Sequence, residues 1–280
     1  MKKQVVFILF ICVSFFTMGC KSSFEKIRAS GDTDLIYEKA FEYFEQEEYQ
    51  RSQTLFELII PAYRGKAELE DIYFTYAYTY YHLSRFILAN YYFKNFTTTF
   101  PNSDKKQEAS FMAAYSNYEL SPTYRLDQTY TNKAIDEFQI FVNTYPSSER
   151  VAECNRLIDQ MRLKLEKKAF EEARLYFDLR QYQAATATFE NLLKDFPETT
   201  KAEQVRFMMA QSAYLLAQNS IYEKQEERYK QVVSYSNDFL KKFKDSDNYN
   251  EVKSFYNNSV KRLKELTNGR YQDQSARAGS

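Results

Sequence analysis

His82 is the single histidine among 280 residues, so the chain's supply of near-neutral acid–base and imidazole metal chemistry has one member. A catalytic triad or a His-based zinc site needs partners that are not present in the sequence. The densest carboxylate run, EYFEQEEY (42–49), gathers four acids. On a helix that spacing gives a solvated face rather than the ligand geometry of a cation site. KLEKKAFEEAR (164–174) alternates lysines with acids at i, i+4 separations, which pairs charges along a helix instead of building a nucleic-acid patch. Gly-rich phosphate loops are absent. The expectation is a non-enzyme with no metal and no cofactor. With 38 basic and 38 acidic residues, no net field draws the chain to nucleic acid.

Cysteine offers the one covalent chemistry left. Lys2 and Lys3 precede the apolar run VVFILFICVSFF (5–16), too short to span a bilayer comfortably, and TMGC follows, ending at Cys20. This arrangement resembles the lipobox of bacterial lipoproteins, with Thr17 and Met18 departing from the usual pattern. The resemblance implies a signal peptide over 1–19, lipid on Cys20 and a tethered linker over 20–32. Lys21, in place of an Asp that retains some lipoproteins at the inner membrane, implies outer-membrane sorting. Cys12 leaves with the signal and Cys20 carries lipid, so Cys154 is the one free thiol and is expected as a small core hydrophobe.

The chain holds 25 Tyr and 24 Phe without one Trp. Tyr37, Phe41 and Phe44, then Phe74, Tyr78 and Tyr81, then Phe111, Tyr115 and Tyr118 repeat one 4-then-3 spacing. Each set of three lies on one face of a helix. Phe170 and Phe207 continue the series with more polar neighbours, Arg174 and Gln211. Two readings stand: the nine rings are further core, or they line a groove that takes an extended segment of another protein, where Tyr tolerates water when the groove is empty. No basic side chain in the first half is placed to clamp a terminal carboxylate; Lys167 and Arg174 are the candidates, both in the second half.

The elements that carry these rings follow from three prolines. Ala89-x3-Phe93-x2-Phe96-x4-Pro101 recurs as Ala134, Phe138, Phe141, Pro146 and as Ala185, Phe189, Leu192, Pro197. Small and large apolar residues share a helical stripe, and Pro ends the helix. Ala77 with Tyr80, and Ala173 with Tyr176, mark a partner helix before each, so the unit is a helix pair of tetratricopeptide type. Five pairs are expected: 33–65, 70–102, 107–148, 166–199 and 203–246, the last closing on KKFKDSD, a copy without Pro. Insertions fall at SPTYRLDQ (121–128) and at roughly 218–228, and Thr200-x-x-Glu203 reads as a capping box. Residues 149–177 hold no breaker and read as one long helix. The fold class is thus all-α, an α-solenoid with a three-repeat half (33–148), a two-repeat half (149–264) and a polar tail from 265 that frays.

The order of these features resembles the BamD family, tetratricopeptide lipoproteins of the machinery that inserts β-barrel proteins into the bacterial outer membrane. The residues that carry it are Cys20, DLIYEKAFEYFEQEEYQRSQTLFELI (34–59), IYFTYAYTYYHLSRFILANYYFKNF (72–96), RLDQTY (125–130) and AIDEFQIFVNTYP (134–146). The resemblance implies a scaffold at the periplasmic face of the outer membrane. Its N-terminal half would meet targeting segments of unfolded barrel precursors, and its C-terminal half would dock the barrel-forming partner, with accessory lipoproteins in the complex. A periplasmic repeat lipoprotein that coordinates cell-wall or division proteins is the alternative that the same features allow.

Overall fold

The computed structural model describes residues 23–278, with side chains to residue 268; the signal segment 1–19 and Cys20 lie outside the described residues. Twelve α-helices and no strand occur among the described residues. They are α1 (Ser23–Arg28), α2 (Thr33–Glu45), α3 (Tyr49–Ile59), α4 (Leu69–His82), α5 (Phe86–Thr99), α6 (Lys106–Glu119), α7 (Thr129–Thr144), α8 (Val151–Asp178), α9 (Tyr182–Asp195), α10 (Ala202–Gln218), α11 (Tyr222–Lys242) and α12 (Tyr249–Ala278). The chain forms two compact units, residues 23–122 with 127–158, and residues 123–126 with 159 onward. The division comes inside α8, after Ile158, where the sequence suggested a division after Ser148.

In the first unit α2 pairs with α3, α4 with α5 and α6 with α7, and each pair packs on the next. The Ala/Phe stripe does what its spacing requires. Ala40, Ala77, Ala89 and Ala134 have no exposed surface and let helices approach closely, while Phe56, Phe93, Phe96, Phe138 and Phe141 fill the space between them. In the second unit Phe170 and Ala173 of α8 pack with Ala185, Phe189 and Leu192 of α9, and with Val205 and Met209 of α10. The core continues through Ala213, Val232 and Phe239 to Val252 and Phe255 of α12.

Three of the five turns between paired helices share one geometry. Glu47, Ser84 and Arg180 each take positive φ, at 60°, 56° and 61°. In each turn the next amide reaches back five residues: Glu48 N donates to Tyr43 O at 2.8 Å, Arg85 N to Tyr80 O at 2.9 Å and Gln181 N to Tyr176 O at 2.9 Å. This is the Schellman ending, made here without glycine.

The B helices α5, α7, α9 and α11 end at Phe100, Tyr145, Phe196 and Phe243, with ψ of 61° to 69°, whereas α3 runs into a 3₁₀ turn over Ile60–Tyr63. Pro follows the first three and bars the helix from continuing. Lys244 follows Phe243, so the copy without Pro ends its helix in the same way. Two expectations are corrected. The residues near 218–228 are not a loop insertion, because α11 begins at Tyr222 and absorbs them as extra helical turns. No side chain caps α10: Thr199 Oγ1 accepts from Lys201 N at 3.1 Å in the turn before it, and Glu203 accepts from Ser246 Oγ at 2.6 Å instead of closing a box with Thr200. Separately, α12 runs as helix from Tyr249 to Ala278 and so includes the polar stretch from 265.

Candidate functional site

Tyr37, Phe41 and Phe44 project from α2, Phe74, Tyr78 and Tyr81 from α4, and Phe111, Tyr115 and Tyr118 from α6, all within the first unit. Phe111 is buried and the other eight are partly exposed. Contacts run both along and across the helices. Along them, Tyr37 meets Phe41 at 4.9 Å, Phe74 meets Tyr78 at 5.1 Å, and Tyr115 meets Phe111 at 5.6 Å and Tyr118 at 5.4 Å between ring centres. Across them, Phe44 reaches His82 at 5.8 Å and Tyr81 reaches Tyr115 at 6.3 Å. The inner sides of the rings touch the core: Phe41 on Phe56, Tyr78 on Phe93, and Phe111 on Phe138 and Phe141. The inner sides of the rings are thus core, and the outer sides of eight of them are partly exposed.

His82 lies in this face. Its ring stacks on Tyr49 at 4.3 Å and 7° and meets Tyr81 at 5.7 Å. Burial against these rings lowers its pKa, with Glu47 pulling the other way. Tyr78 donates to Glu108 Oε1 at 3.1 Å, and burial together with that carboxylate raises its pKa. Tyr81 is pushed up to about 12 by burial, then by Glu119.

Two cations escaped the sequence reading. Lys105 Nζ stands 5.7 Å from the centre of the Phe74 ring and pairs with Asp71. The Arg150 guanidinium stands 4.3 Å from the centre of the Phe111 ring and bonds Glu108 at 2.9 Å and Glu153 at 3.0 Å. Both cations belong to the first unit, and each is already paired with a carboxylate of the chain. Lys201 repeats the arrangement in the second unit, 4.7 Å from Phe170. The missed signal is a spacing. Pro101, Pro146 and Pro197 are each followed at two residues by Ser103, Ser148 or Thr199, and at four by Lys105, Arg150 or Lys201. The hydroxyls bridge back to the first helix of the pair they follow, Ser103 donating to Glu70 at 2.6 Å, Ser148 accepting from Gln107 at 2.7 Å and Thr199 donating to Glu166 at 2.7 Å.

The two cations proposed from sequence behave otherwise. Lys167 lies 4.5 Å from the Tyr124 ring, and Arg174 is held by Glu171 at 3.1 Å, both in the second unit. Tyr124, Arg125, Lys168 and Leu175 line an open cavity of about 520 Å³ there. Cys154 is buried, with its thiol pushed up to about 11 by that burial, which keeps it protonated and poorly nucleophilic. Among the described residues no group of His, Cys, Asp and Glu could hold a metal, and no helix is long and apolar enough to cross a membrane.

Comparison with curated proteins gives no match. Among solved structures, the crystal structure of the apo form of RapI is similar at a TM-score of 0.34 with 11% identity, over 85% of this chain and 99% of that one. The family model YfiO, described as outer membrane lipoprotein, matches residues 30–229. That match runs through the three aromatic helices of the first unit and on into α11, well over half of the chain, and the chain belongs to the YfiO family of outer membrane lipoproteins.

Proposed function

We propose that this chain is the scaffold lipoprotein of outer-membrane β-barrel assembly, a BamD-type member of its family. It is non-enzymatic and held at the periplasmic face by lipid on Cys20. The aromatic face of the first unit receives extended targeting segments of unfolded barrel precursors. The second unit docks the barrel-forming partner, and accessory lipoproteins complete the complex. The observation that carries the reading is the row of eight partly exposed rings on three neighbouring helices. A single extended strand places alternate side chains on one side, so a segment with alternating aromatic residues can lay its rings against such a row. Tyr suits both states, since its ring buries well and its hydroxyl accepts water.

The test uses the full-length lipoprotein in detergent and a photo-cross-linkable peptide ending in alternating aromatic residues. Replacing Tyr81 and Tyr115 together by Ala removes the exposed bridge between α4 and α6 and is expected to reduce cross-linking about tenfold or more, two aromatic contacts being lost. Unchanged cross-linking at unchanged helicity rejects the face as the binding site. Affinity purification from solubilised envelopes tests the wider assignment: a β-barrel partner is expected in the eluate. Recovery of cell-wall enzymes without one favours the coordinator reading instead.

A further inference from the structure

The two edges of the aromatic face are chemically opposite. α2, α4 and α6 run in the same sense, with Asp71 at the start of α4 paired to Lys105 before α6, and Phe44 at the end of α2 against His82 at the end of α4. At the edge where these helices begin, the rings already carry the chain's own cations: Lys66 lies 4.4 Å from Tyr63, Lys105 over Phe74 and Arg150 over Phe111. At the edge where they end, Tyr49, His82, Tyr81 and Tyr115 form a continuous ring surface. The charged groups acting on it are carboxylates. Glu45 and Glu47 act on Tyr49, Glu47 on His82, and Glu119 on Tyr81 and Tyr115, where Glu153 adds a smaller contribution. Glu45 and Glu119 are the last residues of α2 and α6, Glu47 occupies the left-handed turn, and all three are exposed. Three helix C-termini add the negative ends of their dipoles to the same edge. The nearby cations are engaged elsewhere: Arg51 with Glu48 and the Phe24 ring, Arg85 with Gln50 and Gln53, Lys39 with Glu42.

We infer that this C-terminal edge is a subsite for a lysine or arginine side chain of the bound segment, its head group between Glu47 and Glu119 and its stem across the rings of His82 and Tyr81. The inference rests on the aromatic face being the binding face and adds a charge requirement: the segment carries a basic residue next to its aromatic residues. Rings and carboxylates together give such a cation both quadrupole and Coulombic attraction. The chain's own Lys105 and Arg150 use the same combination at the other edge, through Asp71 and Glu108.

The test compares three versions of one alternating-aromatic peptide, flanked by lysine, by glutamine or by glutamate, binding to the full-length lipoprotein in detergent by fluorescence polarisation at low and high salt. The lysine peptide is expected to bind about fivefold more tightly than the glutamine peptide, with the advantage shrinking as salt screens it. Glu47→Gln with Glu119→Gln is expected to abolish that advantage while leaving the glutamine peptide's affinity unchanged. Equal binding of the lysine and glutamine peptides overturns the subsite and leaves the aromatic face standing. A lysine preference that survives the double substitution overturns its placement, and failure of all three peptides to bind removes both the face and the subsite.

Discussion

Phe93 has no exposed surface and holds Tyr78 at 4.9 Å and Phe74 at 6.3 Å, so one core ring sets the position of two rings of the proposed binding face. Phe93→Ala leaves a cavity under that face and is expected to cost about 3–5 kcal/mol in chemical denaturation. The same change should weaken peptide binding even where the fold survives. Phe93 was legible in the sequence because its stripe is local: Ala89, Phe93 and Phe96 declare a helix face within two turns. Lys105 and Arg150 were not, because each lies over a ring of the preceding repeat, and helical periodicity carries no information across that gap. Cys154 was legible as a core residue, and its burial makes it a reporter. At pH 8 a water-soluble thiol reagent is expected to label it only as fast as the first unit opens, so labelling should be slow in buffer and immediate in denaturant. Rapid labelling of the folded protein would place the thiol at the surface.

At the scale of the helix pair, two local devices fix how one element follows another. The turn is the first. Ser84 adopts φ of 56°, a region where a residue with a Cβ is strained by about 1–2 kcal/mol. Ser84→Gly relieves that strain at some cost in chain entropy, and a net gain of ~0.5–1 kcal/mol is expected in denaturant unfolding. The second device is the hydroxyl bridge after each B helix. Thr199 holds its own turn through Lys201 N and the first helix of its pair through Glu166, and Ser246 does the same with Asn248 N and Glu203. This explains why the copy without Pro still closes like the others. A double-mutant cycle of Thr199→Val with Glu166→Gln should give a coupling energy of about 1 kcal/mol. Simple additivity would remove the bridge as a determinant of repeat packing. Pairs and their order were legible from composition and spacing. The bridges were not, since a Ser after a Pro reads equally well as a local cap, and the capping box expected at Thr200 failed on that ambiguity.

For the whole molecule, tyrosine is the residue whose uneven placement has a consequence. In the first unit burial raises the phenols of Tyr76, Tyr78, Tyr80 and Tyr81, the last two up to about 12, and it also raises Tyr37 and Tyr115. In the second unit the raised phenols are Tyr229 and Tyr235. A phenol in the unfolded chain ionises near pH 10. Above that pH the unfolded state binds fewer protons than the folded one, so folding stability falls as pH rises. The contribution is intact below pH 10 and is lost progressively toward pH 12. Cys154 adds the same sign earlier, between its ordinary value of 9.0 and about 11. Most of this alkaline lability belongs to the first unit, so the units should part company on titration. Between pH 10 and 11.5 tyrosinate absorbance and Cys154 labelling are expected to rise together while part of the helical circular dichroism persists, contributed by the second unit. A single transition in which all helix is lost as the tyrosines ionise would show that the two units unfold as one, and the separation into a ring-rich unit and a more polar unit would then have no counterpart in stability.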